Sequence, residues 1–230
     1  MEYNKIIMKK CAKKLIAEGV KIFDPGRLDI RGELICGKNV TIDINVIIEG
    51  RVELCDNVSI GANCILIDSY IGEDSSIKPF SMIEGAIIGK NTFVGPYGRI
   101  RQGTTLGDDV QIGNFVEIKN SFVESNGRIN HLSFIGDANL DEGVTIGAGV
   151  VTCNHDGIKK NKTIIKKHAY IGSGCNLIAP IEIGENATIA AGSTLNIDAP
   201  RNKLTIARSK QITKGYWKNF KSSDFSIEKS

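Results

Sequence analysis

The sequence predicts an all-β solenoid: a left-handed parallel β-helix of hexapeptide repeats, with a short N-terminal helix before it and a non-repeat C-terminal tail. Three observations carry this. Aliphatic residues recur every six positions from Ile30 to Leu195, the position four further on is small or apolar, and glycine repeatedly follows the aliphatic residue. A period of six is neither the helical 3.6 nor plain alternation; it fits short strands joined by tight corners.

The aliphatic series runs Ile30, Cys36, Ile42, Ile48, Leu54, Ile60, Leu66, then resumes after one-residue skips at Ile71 and Ile88. It continues through Ile100, Leu106, Ile112, Ile118 to Val123, Ile129, Ile135, Leu140, Ile146 and Thr152. After an interruption it ends with Ile165, Ile171, Leu177, Ile183, Ile189 and Leu195. Each hexad supplies one flat face, and three hexads close a triangular coil whose aliphatic residues stack down the interior. Val40, Val46, Val52, Val58, Cys64, Ala187 and Ser193 fill the same narrow core. Glycine after the aliphatic residue (Gly61, Gly72, Gly89, Gly95, Gly107, Gly113, Gly136, Gly147, Gly172, Gly184) is expected to supply positive φ at the corners. Hexads of this kind go with left-handed winding, an exception to the right-handed crossover rule.

Three segments follow: 1–27, an amphipathic helix and connector; 28–198, about nine coils with a loop at 153–163; and 199–230, the tail. In the first, Ile6, Ile7, Leu15 and Ile16 are flanked by Lys5, Lys9, Lys13 and Lys14, and the helix should stop near Gly19, before the Asp24-Pro25 turn. Its expected role is to cap the solenoid, since stacked coils leave uncovered ends. The tail carries Tyr216, Trp217 and Phe220 without hexads. Lysines interrupt every apolar pair at the start, so no signal peptide is expected, and no run reaches membrane-span length. A net charge of +3 does not ask for nucleic acid. Six cysteines without CxxC spacing read as reduced thiols of a cytoplasmic protein, with Cys36, Cys64 and Cys175 pointing inward as small hydrophobes.

Candidate chemistry is sparse. Arg101 follows Ile100 and Lys119 follows Ile118, one coil apart, so they should stack at one corner at about 5 Å. Like charges so opposed are destabilising, and an anion such as phosphate between them relieves the conflict; two cations leaning apart into solvent is the alternative. His131, two past Ile129, is expected at that same corner one coil on, as a group able to take a proton from an amine or hydroxyl, or simply as a structural histidine. The segment 153–163 leaves the register, and its Gly157, Lys159, Lys160 and Lys162 suit a phosphate-bearing partner; a solvated bulge is the alternative.

The blocks RIRQGTTLGDDVQIGNFVEIKNS, HLSFIGDA, TIGAGVVTCNHDG, KTIIKKHAYIGSGCNLIAP and ATIAAGSTL, in this order, resemble one family. It is the acetyltransferase half of the bacterial bifunctional N-acetylglucosamine-1-phosphate uridyltransferase/glucosamine-1-phosphate N-acetyltransferase. The resemblance implies a homotrimer that uses acetyl-CoA as co-substrate, needs no metal for acetyl transfer, and has its site between subunits, completed by another chain's tail. It implies His131 as general base, Arg101 and Lys119 on the sugar phosphate, and Lys160 near the substrate. Asn154, Ser173, Ala191 and Arg208 would line the acetyl-CoA groove, with the Ala148 N–H facing the thioester carbonyl. Three positions depart from the family: Phe134 replaces a tyrosine, Thr145 an asparagine, and His155 the tyrosine of Asn-Tyr-Asp-Gly. The first two remove sugar hydrogen bonds and put the identity of the amino sugar in question; His155 reads as a substitute for the aromatic ring or, alternatively, as a second titrating group. Nothing resembles the glycine-rich start of the nucleotidyltransferase half, so uridylyl transfer is not expected of these 230 residues; either a separate uridylyltransferase or the rest of a longer protein would supply it.

The reading is acetyl transfer to an amino-sugar phosphate, glucosamine 1-phosphate first, in supply of UDP-N-acetylglucosamine. Its rivals are an acyltransferase for another amino sugar or sugar nucleotide, a non-catalytic trimeric scaffold, and a zinc-dependent hydration enzyme. The last is disfavoured because His131, His155 and His168 include no close pair.

Overall fold

In the computed structural model, which describes residues 11–213, the chain is a parallel solenoid of about ten coils with three flat faces. Face 1 is an eleven-stranded ladder from Lys21–Ile22 through Gln111–Asn114 and Arg128–His131 to Leu204–Thr205. Faces 2 and 3 form one seventeen-stranded sheet, because the nine-residue strands Leu28–Cys36 and Val46–Leu54 run round their shared corner without a break. All pairings within these sheets are parallel, with Ile100 opposite Ile118 on face 2 and Ile112 opposite Ile129 on face 1. Strand pairing therefore reaches beyond 28–198 at both ends: Lys21–Ile22 pairs with Thr41–Ile42, and Leu204–Thr205 with Thr188–Ile189. These end strands lack the full hexad, which is why periodicity alone misses them.

The aliphatic column is the core. Ile48, Leu66, Ile83, Ile100, Ile118 and Ile135 are fully buried on face 2, and of the whole series only Cys36, in the first coil, is partly exposed. Thr152 takes an aliphatic position because its hydroxyl has backbone partners there: it accepts from Gly136 N–H at 2.7 Å and donates to Gly136 C=O at 3.1 Å. Burial pushes the Cys36 thiol up to about 12 and Cys64 to about 11, so both remain protonated fillers. All six cysteines are free. Residues 11–17 are helical and end at Gly19, whose φ is +97°. Leu15 joins the solenoid core, whereas Ile16 faces solvent. Tyr216, Trp217, Phe220 and the first ten residues lie outside the described range.

The corner glycines act differently from the expectation. Of the ten that follow an aliphatic residue, only Gly95 has positive φ. Other glycines, such as Gly149, Gly174 and Gly192, take left-handed positions elsewhere, while along the edge from face 3 to face 1 these fall mostly to Asn and Asp, as at Asn39, Asn57, Asp74, Asn91, Asp109 and Asn126. These side chains tolerate that conformation, and their amides bond from coil to coil, Asn57 Nδ2 donating to Asp74 Oδ1 at 2.9 Å. The glycines are there for close approach: a Cβ at Gly72 would lie 2.6 Å from the Gly89 carbonyl carbon, and one at Gly89 2.5 Å from that of Gly107. His168 takes a left-handed corner position of that same edge, with φ of +57°. Replacing Gly89 by alanine should destabilise the protein by about 1–3 kcal/mol through overpacking against backbone, measured as a lower urea midpoint.

Candidate functional site

Chain order fixes which edge each residue reaches. Ile100 and Ile118 lie on face 2, Val123 on face 3 and Ile129 on face 1. Arg101 and Lys119 therefore sit where face 2 turns into face 3, while His131 sits where face 1 turns into face 2. The expected single corner for all three is overturned: one whole face separates the imidazole from the cations. Two half-sites result.

On the 2/3 edge, Arg101 and Lys119 stack in register, the Arg101 N–H donating to Ile118 C=O at 2.8 Å. Lys160 arrives from the loop beside Lys119. Lys119 has its pKa lowered, first by the hydrogen bond and charge of Lys160 and then by Arg101. Arg101 does not wait for an anion: its Nη1 donates to Glu117 Oε1 at 2.7 Å. Glu117 is one residue before the core position Ile118 and one coil on from Arg99, a placement readable from the repeat but overlooked. Phe134 pairs with Glu117, and its ring lies over Gly136, next to the Asn154 amide, so it belongs to this edge. Below them the buried Asp137 accepts from Asn120 Nδ2 with one oxygen and from Asn154 Nδ2 with the other. Asn154 is thereby fixed on the cation edge, away from the other residues expected to hold acetyl-CoA.

The loop leaves face 2 after Val151–Cys153 and re-enters at Thr163–Ile165 on face 3. It is a small hairpin wrapped on a carboxylate: Asp156 accepts from the Lys159 and Ile158 N–H groups at 2.8 and 2.9 Å and from Asn161 Nδ2 at 2.8 Å. These bonds, the backbone donors foremost, hold its carboxyl well below the usual range. His155 bridges to Lys160, and its Nδ1 accepts from Gly157 N–H at 3.0 Å. His155 thus works inside the loop, on the same edge as Asn154.

On the 1/2 edge, one column holds Asn114, His131, Ala148, Ser173 and Ala191. The backbone proves the stacking: Gly149 N–H donates to His131 C=O (3.2 Å), Gly174 N–H to Ala148 C=O (2.7 Å) and Gly192 N–H to Ser173 C=O (2.8 Å). Arg208 closes the column, its Nη1 donating to Ala191 C=O at 2.8 Å. Among the described residues, the Ala148 N–H has no hydrogen-bond acceptor. Thr145 stands on face 1 between Arg128 and Tyr170, three residues before Ala148. Beside this column, Phe80, Tyr97 and Phe115 stack with ring centroids 5.1 Å apart, each about half exposed. No group of three His, Cys, Asp or Glu that would hold a metal occurs among the described residues. No helix there is long and apolar enough to cross a membrane.

The profile for bacterial transferase hexapeptide (six repeats) matches residues 162–196, and that for the GMPPB C-terminal domain residues 30–134. The chain is 48% identical over 94% of its length to the bifunctional protein GlmU of Azoarcus sp. (strain BH72) and 52% identical over 90% to that of Nitrosospira multiformis. It covers 48% and 45% of those proteins, so it spans about half the length of the curated relatives it matches. Among solved structures it is similar to PerB from Caulobacter crescentus, crystallised with CoA and GDP-perosamine, at a TM-score of 0.42 and 20% identity over 55% of this chain and 54% of that one.

A depressed lysine pKa means the protonated form is disfavoured in the folded state. The penalty is present at neutral pH and fades as pH rises through the lowered value toward the ordinary lysine range. Lys119→Met should therefore raise the melting temperature slightly at neutral pH and low salt, with the gain shrinking in high salt. The same variant should lose stabilisation by inorganic phosphate, read in the same melts.

Proposed function

We propose that this homologue of one half of the bifunctional GlmU proteins transfers acetyl from acetyl-CoA to the amine of an amino-sugar phosphate, glucosamine 1-phosphate first. The product would feed UDP-N-acetylglucosamine synthesis in the cytoplasm. The observation that carries the reading is the division of labour between edges: a cation trio suited to a phosphate on one, a histidine and the unengaged Ala148 N–H on the other.

Neither edge is a whole site, so the enzyme is a homotrimer in which three copies turn face 2 toward a common axis. Edge 1/2 of one copy then meets edge 2/3 of the next. The stacked Phe80, Tyr97 and Phe115 give the first edge an apolar seam for that contact. Arg101, Lys119 and Lys160 fix the phosphate. His131 accepts the amine proton as nitrogen attacks the thioester carbonyl, a contribution of about 10²–10⁴-fold. The Ala148 N–H meets the developing oxyanion, and Ser173, Ala191 and Arg208 seat the acetyl-CoA. Asn154 and His155 reach this groove from the neighbouring copy's loop. Holding both substrates in line supplies much of the remaining acceleration.

One feature favours a second reading within acyl transfer. The Phe134 ring occupies the cation edge without a hydroxyl, and Thr145 offers a shorter polar group than an amide, so a different amino sugar fits if its hydroxyl pattern asks for fewer bonds. Thiol release measured across a panel of amino-sugar phosphates separates the two readings.

With acetyl-CoA and glucosamine 1-phosphate, free thiol should appear at a rate that His131→Ala cuts at least about a hundredfold. Acetyl-CoA should still raise that variant's melting temperature by mass action; full turnover in the variant refutes His131 as base. In a separate test, Tyr97→Asp should dissociate the trimer in sedimentation and abolish turnover together, and an active monomer would refute the shared site.

A further inference from the structure

We propose that Asn114 is a positioning residue that fixes the tautomer of His131, an assignment resting on the reading of His131 as the base. His131 Nδ1 lies 3.1 Å from Asn114 Oδ1. A carbonyl oxygen only accepts, so Nδ1 carries the hydrogen and Nε2 keeps its lone pair, which is the state a general base requires. The strands support the contact. Gln111–Asn114 and Arg128–His131 are four residues long where every other described strand of face 1 has two, and the added pair is Asn114 opposite His131.

The backbone on both sides of the imidazole is held independently of that side-chain bond. Leu132 N–H donates to Asn114 C=O at 3.1 Å, and His131 C=O accepts from Gly149 N–H at 3.2 Å and Ser133 Oγ at 2.9 Å. With the main chain fixed, the amide oxygen decides only the ring's rotation and which nitrogen bears the proton. Loss of that acceptor frees the ring to flip and to adopt the Nε2–H tautomer, which has no basic nitrogen facing the substrate.

The test is nitrogen NMR of protein carrying ¹⁵N-labelled histidine, assigned by single substitution of the three histidines, beside steady-state kinetics. In the unsubstituted protein, His131 should show the Nδ1–H pattern. Asn114→Leu should convert it toward Nε2–H and lower kcat by about 10–100-fold, part of the general-base contribution, with KM for both substrates within about threefold. Asn114→Asp, which keeps an acceptor oxygen at the same place, should retain the Nδ1–H pattern and most of kcat. An Nε2–H pattern in the unsubstituted protein, or full kcat in Asn114→Leu, overturns the proposal. Should His131→Ala keep full turnover, the base assignment fails instead, and the tautomer spectra still report on Asn114.

Discussion

Every other feature of this molecule depends on the stacking of one aliphatic residue per face, coil upon coil, at the spacing of parallel strands. That column is buried from Ile42 to Leu195, and parallel hydrogen bonding leaves each residue opposite its counterpart in the next coil, as Ile100 is opposite Ile118 and Ile112 opposite Ile129. Once the column is in register, the residues beside it fall into vertical columns as well. Side chains seventeen or eighteen positions apart become neighbours at about 5 Å. Arg101 over Lys119 and Asn114 beside His131 are both products of that rule.

Close stacking also explains the corners. Glycine is used where one coil's backbone presses on the next, as at Gly72 and Gly89. Along the edge from face 3 to face 1, Asn and Asp bear most of the left-handed positions and link neighbouring coils through their side chains, while other glycines, such as Gly149, Gly174 and Gly192, take that conformation on the edge from face 1 to face 2. Two demands that look alike in a sequence, positive φ and absence of a Cβ, thus fall at different positions of the corner.

The fold was legible because a six-residue period repeated this often has one physical solution; the cation stack followed from an eighteen-residue count. The placement of His131 was legible too and was misread, since stepping from Ile118 through Val123 to Ile129 changes face twice. Asn114 follows from the same arithmetic, seventeen residues before His131. Glu117 as the partner of Arg101 was harder to foresee, because it turns on where a long guanidinium swings among several neighbours. The hairpin around Asp156 lay outside the repeat, and local hydrogen bonding rather than periodicity shapes it. The roles of Ala148, Ser173, Ala191 and Arg208 came from family resemblance, and no spacing rule would have singled them out.

The unequal coil lengths have a consequence for how such a chain changes. Leu66 pairs with Ile83 across seventeen residues, Ile100 with Ile118 across eighteen, and Thr152 with Leu177 across a coil that carries the hairpin. In each case the flat faces stay in phase, because the difference is taken up at a corner and projects sideways. An insertion at a corner is therefore invisible to the coils above and below it, whereas one inside a strand would turn a core residue outward. Segments can be grown at the edges, where ligands are met, while the frame that aligns the reactive groups keeps its count.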